Sequence, residues 1–177
     1  MLYIILGGVI FVSIILMIIT ISYNKFKFTI IKIDETENEI EVLLKKKIEL
    51  LDRTRPIIKK ELKLKGFMDD IEFLSESTIN HFEMNNSLKE FHNELNKTLD
   101  ENEKLFKSEA LTSIIDEINS NEEAIVGSTK FYNDSVVTFN QLVGSFPSNV
   151  VAFLWHYKRK EFYNNEKKEM YEILNEK

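Results

Sequence analysis

Residues 111–143, LTSIIDEINSNEEAIVGSTKFYNDSVVTFNQLV, carry the clearest structural pattern of the chain. Mostly apolar residues recur in it in alternating steps of four and three, the spacing that aligns side chains along one face of a helix. The seam consists of Leu111, Ile115, Ile118, Glu122, Ile125, Thr129, Tyr132, Val136, Phe139 and Val143. A single amphipathic helix of this length needs a partner to cover its apolar face. The stretch therefore predicts one long helix of a helical bundle.

The composition favours one helical domain and excludes several kinds of site. Of the 177 residues only 5 are Gly and 2 are Pro, which leaves few turn signals for a sheet-rich fold. The net charge of −6 argues against nucleic acid as a partner, because phosphate binding needs clustered Lys and Arg. The absence of cysteine excludes disulfide bonds and thiolate sites.

The first segment reads as a membrane span. Residues 2–23, LYIILGGVIFVSIILMIITISY, carry no charged side chain, and about 20 apolar residues cross a hydrocarbon core of ~30 Å. A cleaved signal peptide is the alternative, but no Lys or Arg precedes Asn24, and the sequence around Tyr23 is a poor cleavage site. We therefore predict an uncleaved anchor over residues 1–23.

The basic residues after the span predict its orientation. Lys25, Lys27 and Lys32 follow its C-terminal end, and only the amino terminus lies at the other end. The positive-inside rule then predicts a single-pass protein of the cell membrane, with its amino terminus outside and its C-terminal domain in the cytoplasm.

Residues 24–163 are predicted to form an antiparallel bundle of about four long helices, followed by a charged tail over 164–177. Helix 1 continues the span and carries a seam of its own, in which Glu37 and Lys47 stand among apolar residues. We expect it to end near Arg53, because Pro56 would remove a hydrogen bond from a helix interior. The seam consists of Ile30, Ile33, Glu37, Ile40, Leu44, Lys47 and Leu51.

Helices 2 and 3 complete this all-α fold. Helix 2 is predicted over 57–74 with Gly66 in its interior, and the polar run 85–87 ends that segment. Ser87 followed by Glu90 reads as a capping box that begins helix 3. A turn over 100–108 then leads to helix 4, the stretch quoted above. A coiled coil between copies of the chain is the alternative to this intramolecular bundle.

The end of helix 4 is predicted to return to the bilayer, where Phe146 and Pro147 stop it. Two interpretations of residues 150–163 remain open. In one, apolar residues cap the end of the bundle core, namely Val150, Val151, Leu154 and Trp155. In the other, an aromatic and basic segment faces anionic lipid; its residues are Trp155, Tyr157, Lys158, Arg159 and Lys160.

Two blocks of the sequence resemble the LemA family of small bacterial membrane proteins. The first consists of Glu122, Ile125, Phe131-Tyr132-Asn133, Val136, Phe139-Asn140 and Phe146-Pro147-Ser148-Asn149. The second consists of Tyr23-Asn24, Ile40-Glu41-Val42, Leu44 and Lys45-Lys46-Lys47. The chain departs from the family pattern at Glu37, where a Trp is expected, and at Asp52, where a Pro is expected. The resemblance implies a single-span, mostly helical protein without an agreed biochemical activity; some family members are linked to the organisation of the cell envelope.

The polar residues of the motif allow two interpretations. Asn133 and Asn140 lie seven residues apart on one helix face, beside Tyr132 and Glu122. They form either a site for a ligand or partner, or a hydrogen-bond network between helices that fixes their register. We favour the structural interpretation, which Asn24 and Asn149 would join at the membrane-proximal end. Glu122 is expected to meet one of the three lysines at 45–47 or to lie at the margin of the bundle.

No pattern in the sequence predicts catalysis or a cofactor. The three histidines, at 81, 92 and 156, lack the spacing of a metal site, and no nucleophile or phosphate-loop motif is present. We expect a membrane-anchored scaffold or adaptor at the cell envelope that is not an enzyme and binds no metal. Its expected partners are the lipid bilayer, unidentified proteins and a second copy of the chain. The alternatives are a ligand- or peptide-binding sensor near Tyr132, Asn133 and Asn140, and a hydrolase using Glu or Asp.

Overall fold

The structure is a computed structural model that describes residues 1–64, 66–76 and 81–163, except for the side chains of residues 75, 76 and 82. Within these ranges the chain is all-α and contains no strand, as predicted. The helices are α1 (Leu2–Leu62), α2 (Ile71–Glu76), α3 (His81–Asp100), a 3-10 helix (Glu103–Lys107), α4 (Glu109–Gly144) and α5 (Ser148–Leu154). The charged tail predicted over 164–177 lies outside the described residues.

Helix α1 combines the predicted span and the predicted helix 1 in one element of 61 residues. Its amino-terminal part is long and apolar enough to cross a membrane, and no residue of its most apolar window is buried inside the protein. Such a surface is what an apolar helix presents when lipid surrounds it. Among the residues that the structure describes, there is therefore one candidate membrane-spanning helix, near the amino terminus.

The prediction that helix 1 ends near Arg53 was wrong, because α1 continues through Pro56 to Leu62. A proline inside a helix removes one backbone hydrogen bond and costs about 3 kcal/mol or more. Beyond it, however, the side chain of Ile58 is completely buried. The packing of this last turn of α1 outweighs the local cost.

The predicted helix 2 is also divided differently. Its first residues belong to α1, and a non-helical stretch that includes residues 63, 64 and 66 and a turn over 67–70 precedes the short α2. Gly66 lies in this stretch rather than inside a helix, at a φ of 88°, where a residue without a Cβ fits without strain. Only α2, six residues long, remains of the expected element.

Helix α3 begins at His81, so the polar run 85–87 lies inside it and Ser87 does not begin a helix. The reason is that apolar burial at helical spacing starts before Ser87, at Met84, and continues at Leu88 and Leu95. The described residues therefore contain three long helices, α1, α3 and α4, in place of the predicted four.

Helix α4 covers the stretch that predicted it, residues 111–143. Seam residues such as Leu111, Ile118, Ile125, Val136 and Phe139 are buried. The buried stripe is wider than the seam, because neighbouring positions on the same face also point inward. These further buried residues are Ile114, Asn121, Ser128, Asn133 and Ser135.

The chain forms two compact units, Met1–Thr36 with Lys130–Lys177, and Glu37–Thr129. We call them unit 1 and unit 2. In unit 1, α1 and α4 run antiparallel around a core of Phe26, Ile33, Val136, Phe139, Val151 and Ala152. In unit 2 the same two helices are antiparallel, since the side chain of Asn121 bonds to the carbonyl oxygen of Leu43 and Arg53 lies 3.6 Å from Glu117.

Candidate functional site

The two motif asparagines of unit 1 bind the backbone of the chain after α5. Asn140 donates its Nδ2–H to the carbonyl oxygen of Lys160 at 3.0 Å, and its Oδ1 accepts the Lys160 N–H at 2.8 Å. The Oδ1 of Asn133, whose side chain is buried, accepts the N–H of Tyr163 at 2.8 Å. We call residues 157–163 the return segment, because they run back along α4 after α5 has ended.

The spacing of the asparagines matches the spacing of their partners. Seven residues along an α-helix cover about 10.5 Å. Lys160 and Tyr163 are three residues apart, and an extended chain of that length covers about 10 Å. Residues seven apart are also on the same face of a helix. The motif can therefore hold an extended chain at two points in register, through backbone groups that any residue would supply.

Aromatic side chains attach the return segment to the core of unit 1. The ring of Tyr157 lies 4.8 Å from that of Phe26 and 6.0 Å from that of Phe139, between centroids. Tyr163 meets Tyr132 edge-on at 5.9 Å. The ammonium of Lys160 lies 3.7 Å from the carboxylate of Asp34. Lys160 and Tyr163, which bind the asparagines through their backbones, thus also form side-chain contacts.

The structure brings together three of the six polar residues that the sequence singled out. Asn133, Asn140 and Tyr132 contact the return segment, so the partners of the amides are backbone groups of that segment instead of side chains on facing helices. Asn24 and Asn149 have exposed side chains and are not part of a buried network. Glu122, the sixth, lies in unit 2.

In unit 2, Glu122 forms an ion pair with Lys47, one of the three lysines that the sequence offered. The side chain of Lys47 is fully buried and that of Glu122 is 28% exposed. Removing an ammonium group from water is costly unless a carboxylate neutralises it. Next to the pair, Asn121 donates to the carbonyl oxygen of Leu43 at 3.0 Å, which ties α4 to α1 at this level.

His92 of α3 is half-buried close to this pair. Burial, and to a smaller extent the positive charge of Lys47, lowers the pKa of His92 below its ordinary value of 6.5, although Glu122 acts in the opposite direction. The environment of the imidazole therefore favours its neutral form. Among the residues that the structure describes, no group of three or more His, Asp or Glu is placed to hold a metal ion.

A second ion cluster was missed by the sequence analysis. The guanidinium of Arg55 lies 2.6 Å from Asp52, 2.8 Å from Glu72 and 3.2 Å from Asp69. The hydrogen bond to Glu72, with smaller contributions from the two aspartates, raises the pKa of Arg55 despite its burial. Lys59 also binds Asp69 and, together with Arg55, lowers the pKa of that carboxyl. These contacts tie the turn before α2 to the last turns of α1.

The residues of the two interpretations of 150–163 differ in their exposure. Tyr157 and Lys160 are half-buried, and both contact other residues of unit 1. Of the proposed core cap, only Val151 is buried. The remaining residues of both sets have exposed side chains, namely Val150, Leu154, Trp155, Lys158 and Arg159.

The predicted helix stop lies between α4 and α5. Helix α4 ends at Gly144, and Phe146 and Pro147 form the turn that precedes α5. The Ser148 hydroxyl donates toward the carbonyl oxygens of Leu142, at 2.7 Å, and Ser145, at 2.8 Å. It thereby satisfies backbone groups that the end of a helix leaves without partners.

Two shallow grooves lie on the described surface. One, of about 260 Å³, is lined in unit 2 by Lys45, Ile48, Glu49, Asp52, Ile71 and Glu72. The other, of about 210 Å³, is lined in unit 1 by Phe28, Thr29, Lys32, Phe131, Asp134, Ser135 and Thr138. Neither groove contains Asn133, Asn140 or the Lys47–Glu122 pair. The polar groups of the motif therefore contact other parts of the chain and not the walls of these grooves.

The long apolar helix, the antiparallel α1–α4 pairing and the asparagine-bound return segment define the class of this molecule. It is an all-α protein, and its described part contains one candidate membrane-spanning helix. The profile of the LemA family matches residues 36–173, which is most of the chain, and the protein belongs to that family. No significant match was found among the curated proteins or the solved structures.

Proposed function

We propose that this LemA-family protein is a membrane-anchored scaffold or adaptor without catalytic activity. The observation that carries the proposal is the use of the motif asparagines, since Asn133 and Asn140 are bound to the chain's own backbone. Polar groups engaged in this way fix the shape of the protein. A scaffold needs such a fixed shape to present a binding surface to its partners.

The anchor gives such a surface its location. An apolar helix of this length concentrates the bound domain at the bilayer. Lys25, Lys27 and Lys32 follow the span, which supports an amino terminus outside the cell and a domain in the cytoplasm.

The chain contains no cysteine, so the orientation can be measured with single cysteines introduced at exposed positions. Val126→Cys should react with a membrane-impermeant maleimide only after the cells are opened; labelling in intact cells would reverse the orientation.

The scaffold proposal is tested by crosslinking in living cells with a photoreactive amino acid. Exposed apolar positions on unit 2, such as Val42, Phe106 and Val126, are suitable sites. A scaffold should yield discrete adducts of defined mass at one or more of them. The buried position Ile125 serves as a matched control next to Val126, because its side chain cannot reach a partner. The absence of adducts from every exposed position would contradict the proposal.

A ligand- or peptide-binding module is the alternative that the motif itself suggests. The amides of Asn133 and Asn140 recognise backbone groups, so a peptide could use them only by displacing the return segment. Binding of this kind should increase trypsin cleavage at Lys158 and Arg159. A peptide library that produces no such increase on the full chain in detergent supports the scaffold.

A further inference from the structure

The last residues of the apolar segment of α1 already pack against the core of unit 1. Residues 2–18 are exposed, whereas Ser22 is only 6% exposed. Ile19 and Tyr23 pack against the core cluster that contains Val151 and Ala152 of α5. Since about 20 residues cross the hydrocarbon core, Ile19 to Tyr23 lie at its edge. Helix α5, which packs on them, must then lie at the same depth.

Helix α5 has one face in the core and one apolar face that the described residues leave uncovered. Ser148, Val151 and Ala152 are buried. The opposite side chains include Phe153, which is 80% exposed, and Phe146 in the preceding turn is 83% exposed. Val150, Leu154 and Trp155 extend the same exposed group. Single exposed apolar residues are ordinary, but a contiguous group of five marks an interaction surface.

Aromatic contacts place this surface beside the end of the span. The rings of Trp155 and Tyr23 lie 5.3 Å apart. The ammonium of Lys27 lies 5.7 Å from the centroid of the same Tyr23 ring. Trp and Tyr are enriched where the hydrocarbon core meets the headgroups, because their rings are apolar and their polar atoms remain hydrated.

The charged side chains around the surface have the sign that anionic lipid requires. Lys25 and Lys27 follow the span, and Lys158 and Arg159 follow α5; all four are exposed. The Arg159 guanidinium lies against Gly144, at the end of α4. Basic residues near a membrane surface are attracted to anionic headgroups.

We propose that α5, with Phe146 before it and Trp155 after it, is a second membrane contact of this protein. The apolar face enters the boundary between headgroups and acyl chains, and the four basic residues bind anionic headgroups of the same leaflet. Lipid is the occupant because the surface is continuous with the span through Tyr23 and Trp155. The inference rests on the membrane anchoring in the proposed function and does not depend on the scaffold role.

Trp155 is the only tryptophan in the chain and reports directly on the proposal. The full chain is reconstituted into vesicles of phosphatidylcholine and phosphatidylglycerol, some of which carry lipids brominated near the glycerol or near the end of the acyl chain. We expect lipids brominated near the glycerol to quench Trp155 most strongly and aqueous iodide to quench it little. Lys158→Gln with Arg159→Gln should reduce the bromolipid quenching in anionic vesicles and not in phosphatidylcholine alone.

The apolar face itself is tested with single cysteines that carry an environment-sensitive dye, in the same vesicles. The test variant is Phe153→Cys, and the matched control is Phe131→Cys, an exposed phenylalanine of unit 1. Phe131 lies 13 residues before Gly144, about 20 Å along α4. We expect blue-shifted emission and protection from iodide for the dye on the Phe153→Cys variant only.

Three results would overturn the inference. Alkaline carbonate extraction shows whether only the α5 contact fails or the membrane anchor fails as well. If the chain resists extraction but iodide quenches Trp155, α5 is exposed to water and the anchor still holds. If neither iodide nor bromolipid reaches Trp155, a second copy of the chain covers α5, because the vesicles contain no other protein. If the chain is extracted, the anchor in the proposed function fails as well.

Discussion

The side-chain amide of Asn140 binds both backbone groups of Lys160, with its Nδ2 3.0 Å from the carbonyl oxygen and its Oδ1 2.8 Å from the nitrogen. A side-chain amide has a donor and an acceptor side by side, and it can pair with a peptide group of an extended chain. This pairing satisfies backbone groups that would otherwise be partly buried without partners.

Asn140→Ala should therefore lower the free energy of unfolding by about 1–3 kcal/mol, because it leaves two backbone groups of Lys160 without partners. The measurement is denaturant unfolding of the full chain in detergent, followed by Trp155 fluorescence. Asn149→Ala is the matched control, since the exposed Asn149 should change stability by less than about 0.5 kcal/mol. Equal effects of the two substitutions would show that Asn140 does not hold the segment.

Asn133→Ala and Asn140→Ala should be non-additive, since both residues hold the same return segment. Once one of them has released the segment, the second substitution removes a contact that is already weakened. The sum of the single losses should exceed the loss in the double variant by about 0.5 kcal/mol or more. Trypsin cleavage at Lys158 and Arg159 should become faster in each single variant. Strict additivity with unchanged cleavage would argue against a shared role.

Glu122→Gln should destabilise the protein by on the order of 3 kcal/mol, because it leaves the fully buried ammonium of Lys47 without a carboxylate. The double variant Lys47→Met with Glu122→Leu should recover to within about 1 kcal/mol of the parent, since apolar side chains of similar volume can replace a buried pair. Lys46→Gln, at an exposed neighbouring position, is the control. A double variant less stable than Glu122→Gln would contradict this account of the pair.

The stability of the protein should fall as the pH drops below about 6.5, partly because of His92. The pKa of His92 is lower in the folded protein than in the unfolded chain, so the unfolded state binds more protons in this range. The contribution is fully present above the unfolded pKa and is lost as the pH falls toward the folded pKa. His92→Gln should flatten the dependence between about pH 7 and pH 5.5. His156→Gln, at an exposed position, should leave it unchanged; equal curves for both variants would exclude His92 as the cause.

Arg55→Lys should loosen the turn before α2, since a lysine keeps the charge but lacks the planar guanidinium whose two terminal nitrogens bind the three carboxylates. Hydrogen exchange at the amides of Ile71 and Phe73 should become faster, while exchange in α4 should remain unchanged. Raising the salt concentration in the parent should have a similar effect, because ion pairs near the surface are screened. Slow exchange in both cases would show that the apolar contacts of Ile71 hold the turn without the ion cluster.

Most of the helical framework could be predicted because it depends on periodicity. The seam in α4 predicted the helix and its buried face, and the seam in α1 contained Glu37 and Lys47 among apolar residues. The sequence left Glu122 either beside one of the three lysines at 45–47 or at the margin of the bundle. The packing of α4 on α1 selects Lys47.

Other features were beyond sequence reasoning for identifiable reasons. Pro56 costs α1 a backbone hydrogen bond, and the burial of Ile58 outweighs that cost. The sequence does not show that Ile58 is buried. Asn133 and Asn140 bind backbone groups of the return segment. Backbone groups do not depend on residue type, so the sequence does not show which segment is bound. The spacing of Asn133 and Asn140 showed that they share a face, but a facing helix and an extended chain fit that spacing equally well.

The path of the return segment decides where additions to this protein can be made. Tyr163 meets Asn133, which lies 11 residues before Gly144, so the backbone at Tyr163 is about 16 Å away from the α4–α5 corner. With α5 on the membrane as proposed above, a fluorescent or affinity module inserted directly after Tyr163 would start at that height, with room between it and the headgroups. A module inserted at Phe146 would instead be forced against them.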